Sequence, residues 1–468
     1  MKRINITVCF LVVLIANTAL GTIHRVPEDY NTIQAAIEAC RDYDTVVIAA
    51  GRYCGLGNRD INFLGKAITV RSADPTDPQI VSSTVIDCEG KGRGFIFNRA
   101  ETSNSVIAGL TVTGGYALLG GAIYCYNGSD PLITRCLITG NSAVFGGAIA
   151  CTNTNSRPQI TNCRLTANSA LVGGGAIYCN AAGPELTNCF ISSNIAPDGG
   201  AIYSHNPGNP RIASCTISAN AASGSAGGIY CYKSSNLTIN NSILWANSAG
   251  YASAILVGNL GAATSVGLSY CDIQGLDANV IADAGCTVNW GRGNIALDPH
   301  FVAPADLTGA DYHLHKGSGC IDAGDPAFAA QPDETDIDGN PRIIGEKVDI
   351  GADEYLPPVP VAIEITPQAL SLASNGNWLR CTIFSPDNYN ISDIVLGSIV
   401  LNEILSPVQT NVDLLTREIL VTFDRSQTLK MLSTAEGTAE LTVSGRLNDG
   451  RDFEGTDTIK VIRPAGKK

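Results

Sequence analysis

The sequence predicts an all-β protein: a right-handed parallel β-helix solenoid followed by a small C-terminal β-sandwich. Three observations carry that expectation. A glycine-rich segment recurs with a period of 25 to 28 residues, the mark of a repeat architecture. Each repeat holds two short runs of alternating side chains, the period of a half-buried strand, with no helical spacing between them. Beyond Pro357, Pro358 and Pro360 the repeat stops and longer alternating runs begin.

Apolar residues make up 45% of the 468-residue chain and charged residues 16%, enough apolar surface to offset chain entropy. The 49 glycines show no Gly-X-Y period, which excludes collagen and suits many tight turns. A net charge of −13 excludes a nucleic-acid partner, which needs a basic face. Residues 1–21 read as a signal peptide. Lys2 and Arg3 precede a nearly all-apolar run from Val8 to Ala16, and Ala19-Leu20-Gly21 offers small residues for cleavage. Cys9 lies inside the apolar run, which argues against a lipid anchor. The run is short for a bilayer and no later one is longer. The expected mature chain is therefore secreted, extracellular or at the cell surface, with no transmembrane span.

Residues 22–356 are expected to form the solenoid, with caps, because an open end exposes core and strand edges. Thr32 to Cys40 has helical spacing and Thr45 to Tyr53 reads as a strand. This resembles the helix-then-strand start of pectin-lyase-like β-helices. Coils follow through Gly65 to Val70 and Thr84 to Asp87. The repeat proper then sets in: Gly120-Gly-Ala-Ile-Tyr-Cys125 returns as Gly146 to Cys151, Gly174 to Cys179 and Gly199 to Ser204, with a looser copy from Ala226 to Cys231. A second series runs Ile133-Thr-Arg-Cys136, Ile160-Thr-Asn-Cys163, Leu186-Thr-Asn-Cys189, Ile212-Ala-Ser-Cys215 and Ile239-Asn-Asn-Ser242, and Asn141, Asn168, Asn194, Asn220 and Asn247 each follow five residues later.

Ile133 to Thr139 is read as one strand, with Thr134, Cys136 and Ile138 on its inner face. Coils stacked about 4.8 Å apart place these positions in ladders. The asparagines then bond rung to rung, and the glycines allow a sharp bend. The cysteines pack as free, inward thiols, since neighbouring rungs hold their Cβ atoms slightly beyond disulfide range.

Paired with Gly-Gly-Ala-Ile, the segments Ile138-Thr-Gly-Asn141, Ile191-Ser-Ser-Asn194 and Ile217-Ser-Ala-Asn220 resemble the repeats of chlamydial polymorphic outer membrane proteins. Ile or Leu stands here where that family has Phe. The resemblance covers roughly residues 104–264 and implies an exported bacterial β-helix. Asp298 to Tyr355, with Asp311-Tyr-His-Leu314, Gly319-Cys-Ile-Asp322 and Asp338-Gly-Asn-Pro-Arg342, resembles a terminal segment common on exported bacterial β-helices and is expected to act as a structural cap. Residues 357–360 read as a linker and 361–468 as the β-sandwich, which resembles a small accessory module of secreted microbial proteins.

No catalytic constellation stands out. The pectin-lyase-like resemblance implies that an enzyme would need acidic side chains or Ca²⁺ on one face with an Arg or Lys base, or closely paired carboxylates for hydrolysis. Between Asn104 and Thr264 the acids are Asp130, Glu185 and Asp198. Asp130, Arg157, Glu185 and Arg211 fall at one turn and read as a ladder of exposed ion pairs. Tyr124, Tyr178, Tyr203 and Tyr230, with Ala150, share an outward position; their rings form a stripe that either stacks on sugar or stabilises the sheet. Asp336-Ile-Asp338-Gly339 hints at Ca²⁺ but lacks the later ligands of a calcium loop. His313 and His315 read as structural, His205 has no role, and no metal or other cofactor is expected. Three function classes stay open: a non-catalytic surface protein binding glycans or cell-surface partners, a polysaccharide lyase or hydrolase, and a structural spacer.

Overall fold

The computed structural model describes residues 21–463 except 154, 234, 304–310, 333, 374–375, 386–388, 435–436 and 449–450. The leader expected at 1–21 lies outside them but for Gly21. The chain divides into two units, one ending at Tyr355 and one beginning at Leu356.

The first unit holds a parallel solenoid of three long sheets with eleven, nine and nine strands and a fourth of five, and an antiparallel pair, Phe301–Ala303 with Asp311–Leu314, in its terminal segment. One coil runs through Leu132–Thr134, Leu137–Thr139, Ser142–Phe145 and Ile149–Thr152. The chain then enters Gln159–Thr161, which pairs in parallel with the strand one level before. Equivalent residues face each other in the three long sheets, as in Ile133 with Ile160, Ile138 with Leu165 and Cys151 with Cys179.

The single strand expected from Ile133 to Thr139 is two strands in different sheets. Arg135 sits between them in the left-handed region (φ 53°), as do Asn162, Asn188, Ser214 and Asn241 at its level in later coils. Asn tolerates that conformation through local hydrogen bonding. The bend resets the alternation, so Ile133, Cys136 and Ile138 all point into the core while Thr134 is half-buried.

The asparagine ladder is continuous. Asn141, Asn168, Asn194 and Asn220 are buried, and each Nδ2 donates to the Oδ1 of the next asparagine at 2.9–3.1 Å. In the glycine pairs the first residue supplies a positive φ, 62° at Gly120. The second supplies room: a Cβ on Gly121 would meet the carbonyl oxygen of Gly147 at 2.3 Å. The cysteines from Cys125 to Cys271 are free and buried.

Helix α1 (Ile33–Ala39) closes the first coils, with Thr32 Oγ1 accepting the Ala35 N–H and Ile33, Ala36 and Ile37 buried. Helix α2 (Pro78–Ser83) follows, capped by Asp77. The terminal segment, expected as a cap, runs instead along the flank. Its Phe301, Tyr312, Leu314, Ile337 and Ile350 bury the outward side chains Phe190 and Ile243. Asn162 and Asn188 donate to the Thr335 carbonyl, and the Ala352 N–H to Thr216 Oγ1. With few strands to satisfy it, this backbone bonds to carboxylates: Asp349 accepts the N–H groups of Asp322 and Tyr355, and Asp353 that of Leu314.

The second unit is a pair of sheets, mostly antiparallel, around Ile365, Leu379, Val421, Phe423, Leu441 and Phe453. Its long strands are Trp378–Phe384, Glu418–Asp424, Gly437–Arg446 and Asp452–Ile462, with helix α3 at Arg425–Met431. Val359 and Pro360, at the end of the proline-rich stretch, pair with Phe453 and Glu454 of this unit. Among the described residues no helix is long and apolar enough to cross a membrane.

Candidate functional site

The strands Ile123–Cys125, Ile149–Thr152, Ile177–Asn180, Ile202–His205 and Ile229–Tyr232 lie side by side in register. Their Ile and Cys or Ser residues face the core. Tyr124, Ala150, Tyr178, Tyr203 and Tyr230 therefore form one outward column, as the repeat spacing implies. The column is not an open stripe. Tyr178 and Tyr203 are only 5% and 8% exposed, while Tyr124 and Tyr230 are half-buried. Cover comes from the five-stranded sheet beside it. The Phe145 ring lies 4.7 Å from that of Tyr178, and Gly173 approaches Tyr203 so closely that a Cβ would stand 2.8 Å from its ring. The rings also pack on one another, with centroids 6.0 Å apart for Tyr178 and Tyr203 and 5.4 Å for Tyr203 and Tyr230.

Two residues further along each strand stands a second column: Tyr126, Thr152, Asn180, His205 and Tyr232. Tyrosine hydroxyls of the first column reach across to it one coil on. Tyr124 Oη meets Thr152 Oγ1 at 3.0 Å, Tyr178 Oη meets His205 Nε2 at 2.5 Å, and Tyr203 donates to Tyr232 at 2.9 Å. His205, which has no role in the sequence reading, is the centre of this network and stacks on Tyr232 at 5.4 Å. Burial, helped by Lys233, holds its imidazole neutral with a pKa of about 4. Burial likewise pushes the Tyr178 and Tyr230 hydroxyls up to about 12. Toward the N-terminal end, Tyr124 stacks on Tyr126 at 4.7 Å, Arg93 lies over Tyr124 at 5.4 Å, and Asn98 donates to Tyr126 at 3.1 Å.

The charged turn is two columns rather than one ladder. Register pairs Leu132, Gln159, Glu185 and Arg211, which leaves Asp130 and Arg157 two residues earlier. Glu185 and Arg211 meet at 4.0 Å, and Asp130 accepts the Arg157 N–H. Neither column presents two carboxylates to a common point.

A second cluster joins features that the sequence keeps apart. His313 contacts Asp311 through Nδ1 and Asp338 through Nε2, and Arg164 Nη2 holds the other oxygen of Asp338 at 2.8 Å. Burial works against the imidazolium, but the hydrogen bonds to Asp311 and Asp338 prevail and push His313 up to about 11. His315 turns elsewhere, toward the Lys316 carbonyl. The calcium-like turn is occupied by protein donors. Asp336 accepts the N–H groups of Asp338, Asn340 and Glu354 and the Asn340 amide. Beside this cluster a groove of about 150 Å³ is lined by Pro75, Val81, Arg135, Asn162, Arg164 and Asp338.

A family model described as the right-handed beta helix region matches residues 29–190 and, overlapping, 101–297. These matches span more than half of the chain. The protein belongs to the right-handed β-helix family. Among solved structures it is similar to that of the pectate lyase Pel9A, at 17% identity and a TM-score of 0.43, over 69% of this chain and 91% of that one. No curated protein sequence matches it. In this β-helix the ring column was visible from repeat spacing. His205 was not, because its own column mixes Tyr, Thr, Asn and His. The meeting of His313 with Asp338 had no signal, since the terminal segment carries no period.

Proposed function

We propose that this β-helix is an exported, non-catalytic surface protein that binds neutral polysaccharide along its ring-lined face. The observation that carries the reading is the placing of two half-open ring pairs, Tyr124 with Tyr126 and Tyr230 with Tyr232, on the same columns. Four coil steps of about 4.8 Å separate them by roughly 19 Å. Aromatic faces stack on the apolar faces of sugars, and the half-buried amide of Asn180 stands between the pairs as a polar group. Export rests on the basic, apolar and small-residue pattern of residues 2–21. A non-catalytic role fits the coil charges, which are engaged with neighbouring coils.

The test is a polysaccharide panel against the purified mature chain, recording binding and the ultraviolet absorbance of unsaturated sugar ends. Binding lost in a Tyr124→Ala, Tyr232→Ala double variant that remains folded at the assay temperature supports the site. Release of unsaturated ends makes the protein a lyase and overturns the reading. A spacer role is favoured by one specific observation, the burial of Tyr178 and Tyr203, and silence across the panel would leave that role standing.

A further inference from the structure

The terminal segment assembles a set of metal-ligating atoms on the flank of the solenoid. Asp311 Oδ1 accepts the backbone N–H of His313 at 3.1 Å and also contacts its Nδ1. The Asp311 carboxylate holds Nδ1–H, so a cation that displaces the Nε2 proton now held by Asp338 would meet Nε2 as a ligand. Nε2 of His313 faces Asp338, and Asp353 stands beside both. One donor atom from each of the three lies within 4.8 Å of the others.

Each carboxylate is held from behind. Asp338 is gripped by Arg164 at 2.8 Å, and Asp353 Oδ2 by the Leu314 N–H at 2.8 Å. Asp353 is only 5% exposed, and its other oxygen receives no hydrogen bond among the described residues. A charge so buried needs a partner.

We propose that His313, Asp338 and Asp353 bind a divalent transition-metal cation of the Zn²⁺ or Mn²⁺ class. One imidazole and two carboxylates suit such ions, whereas Ca²⁺ seeks six to eight oxygens. The ligands come from strand Asp311–Leu314, from the turn after Asp336 and from the end of the unit. Bound metal therefore ties three stretches of the terminal segment together. Asp338 also lines the groove with Arg135 and Arg164, so cation and groove share a wall.

A rival set exists at the other end of the solenoid, where His24, Cys40 and Asp44 also bring donor atoms within 4.8 Å. The experiment separates the two. Chelator-treated mature chain is titrated with Co²⁺ by absorption spectroscopy and with Zn²⁺ by thermal melting. The expected result is one equivalent of Co²⁺ without a thiolate charge-transfer band, and a midpoint raised by Zn²⁺. Affinity should fall at least tenfold in Asp353→Asn and in His313→Gln, fall about 10- to 100-fold in Asp311→Asn, and hold in Cys40→Ser. Asp353→Asn keeps an oxygen for the Leu314 N–H, so it carries the test if His313→Gln does not fold. Absence of stoichiometric binding overturns the proposal. So does a thiolate band that Cys40→Ser removes, or an affinity unchanged in Asp353→Asn.

Discussion

Nδ2 of Asn194 donates to Oδ1 of Asn220 at 2.9 Å and to the Leu165 carbonyl at 3.0 Å, while Asn220 Oδ1 also accepts the Asn194 N–H at 3.0 Å. One buried side chain thus joins three coils. Asn194→Ala strands the Asn168 backbone N–H and takes the Asn194 amide from the Leu165 carbonyl, while the Asn168 side-chain amide keeps the Ile138 and Thr166 carbonyls. Each orphan costs about 1–3 kcal/mol, so the variant is expected to lose roughly 2–4 kcal/mol in denaturant melts. A surface substitution at Ser169 serves as the control.

The thiols offer a second measurement. Of the cysteines among the described residues, Cys54 is exposed and Cys286 half-buried, and the rest are buried and free. Burial pushes the buried Cys231 and Cys271 thiols up to about 12, which suppresses the reactive thiolate. A native-state titration with a thiol reagent should count one fast group, lost in Cys54→Ser, and a slower one at Cys286, with the remainder appearing only on unfolding. Early reaction of several groups would contradict the buried ladders.

Stability should depend on pH through Asp272. Its carboxylate accepts the Cys320 thiol at 3.2 Å and the Leu297 N–H at 3.1 Å, and burial pushes its pKa up to about 7. An unfolded Asp titrates near 4. The folded protein therefore holds this proton more tightly, and stability falls as pH rises from about 4 to 7, then levels. Asp272→Asn should exceed the parent by on the order of 2–4 kcal/mol above pH 7, with the gap closing by pH 4. His205 acts in the opposite sense below its unfolded pKa, so the difference between variant and parent is the quantity to follow.

The ring column divides by burial. Tyr203→Phe removes the bond to Tyr232 and should cost about 1 kcal/mol, and Tyr203→Ala about 3–5 kcal/mol through its cavity. Tyr124→Ala, at a half-open position, should cost clearly less. Equal losses at both sites would mean that the cover seen over Tyr203 is absent in solution.

How much of this was legible follows from periodicity. Cys136, Asn141 and Gly146 recur at fixed offsets because every coil repeats one environment, and the solenoid with its ladders could be read from them. The bend at Arg135 was hidden because Ile133 to Thr139 alternates plausibly on paper; only the left-handed turn shows that the count restarts. The burial of Tyr178 depends on Phe145 and that of Tyr203 on Gly173, both on short strands whose mixed composition gives no strand signal. The cluster around His313 joins residues brought together only when the terminal segment docks, and no local pattern encodes that docking.

That docking has a mechanical consequence. A stack of coils with nearest-neighbour contacts frays from its ends, one rung at a time. Here the terminal segment is fastened as a strap to five successive coils, by Thr335 at Arg135, Asn162 and Asn188, by Ala352 at Thr216 and by Asp325 at Asn241. Pulled along its axis, the solenoid cannot open between these rungs without shearing the strap. This stretch should therefore rupture in one tall force peak, where a bare stack would give a staircase of small ones.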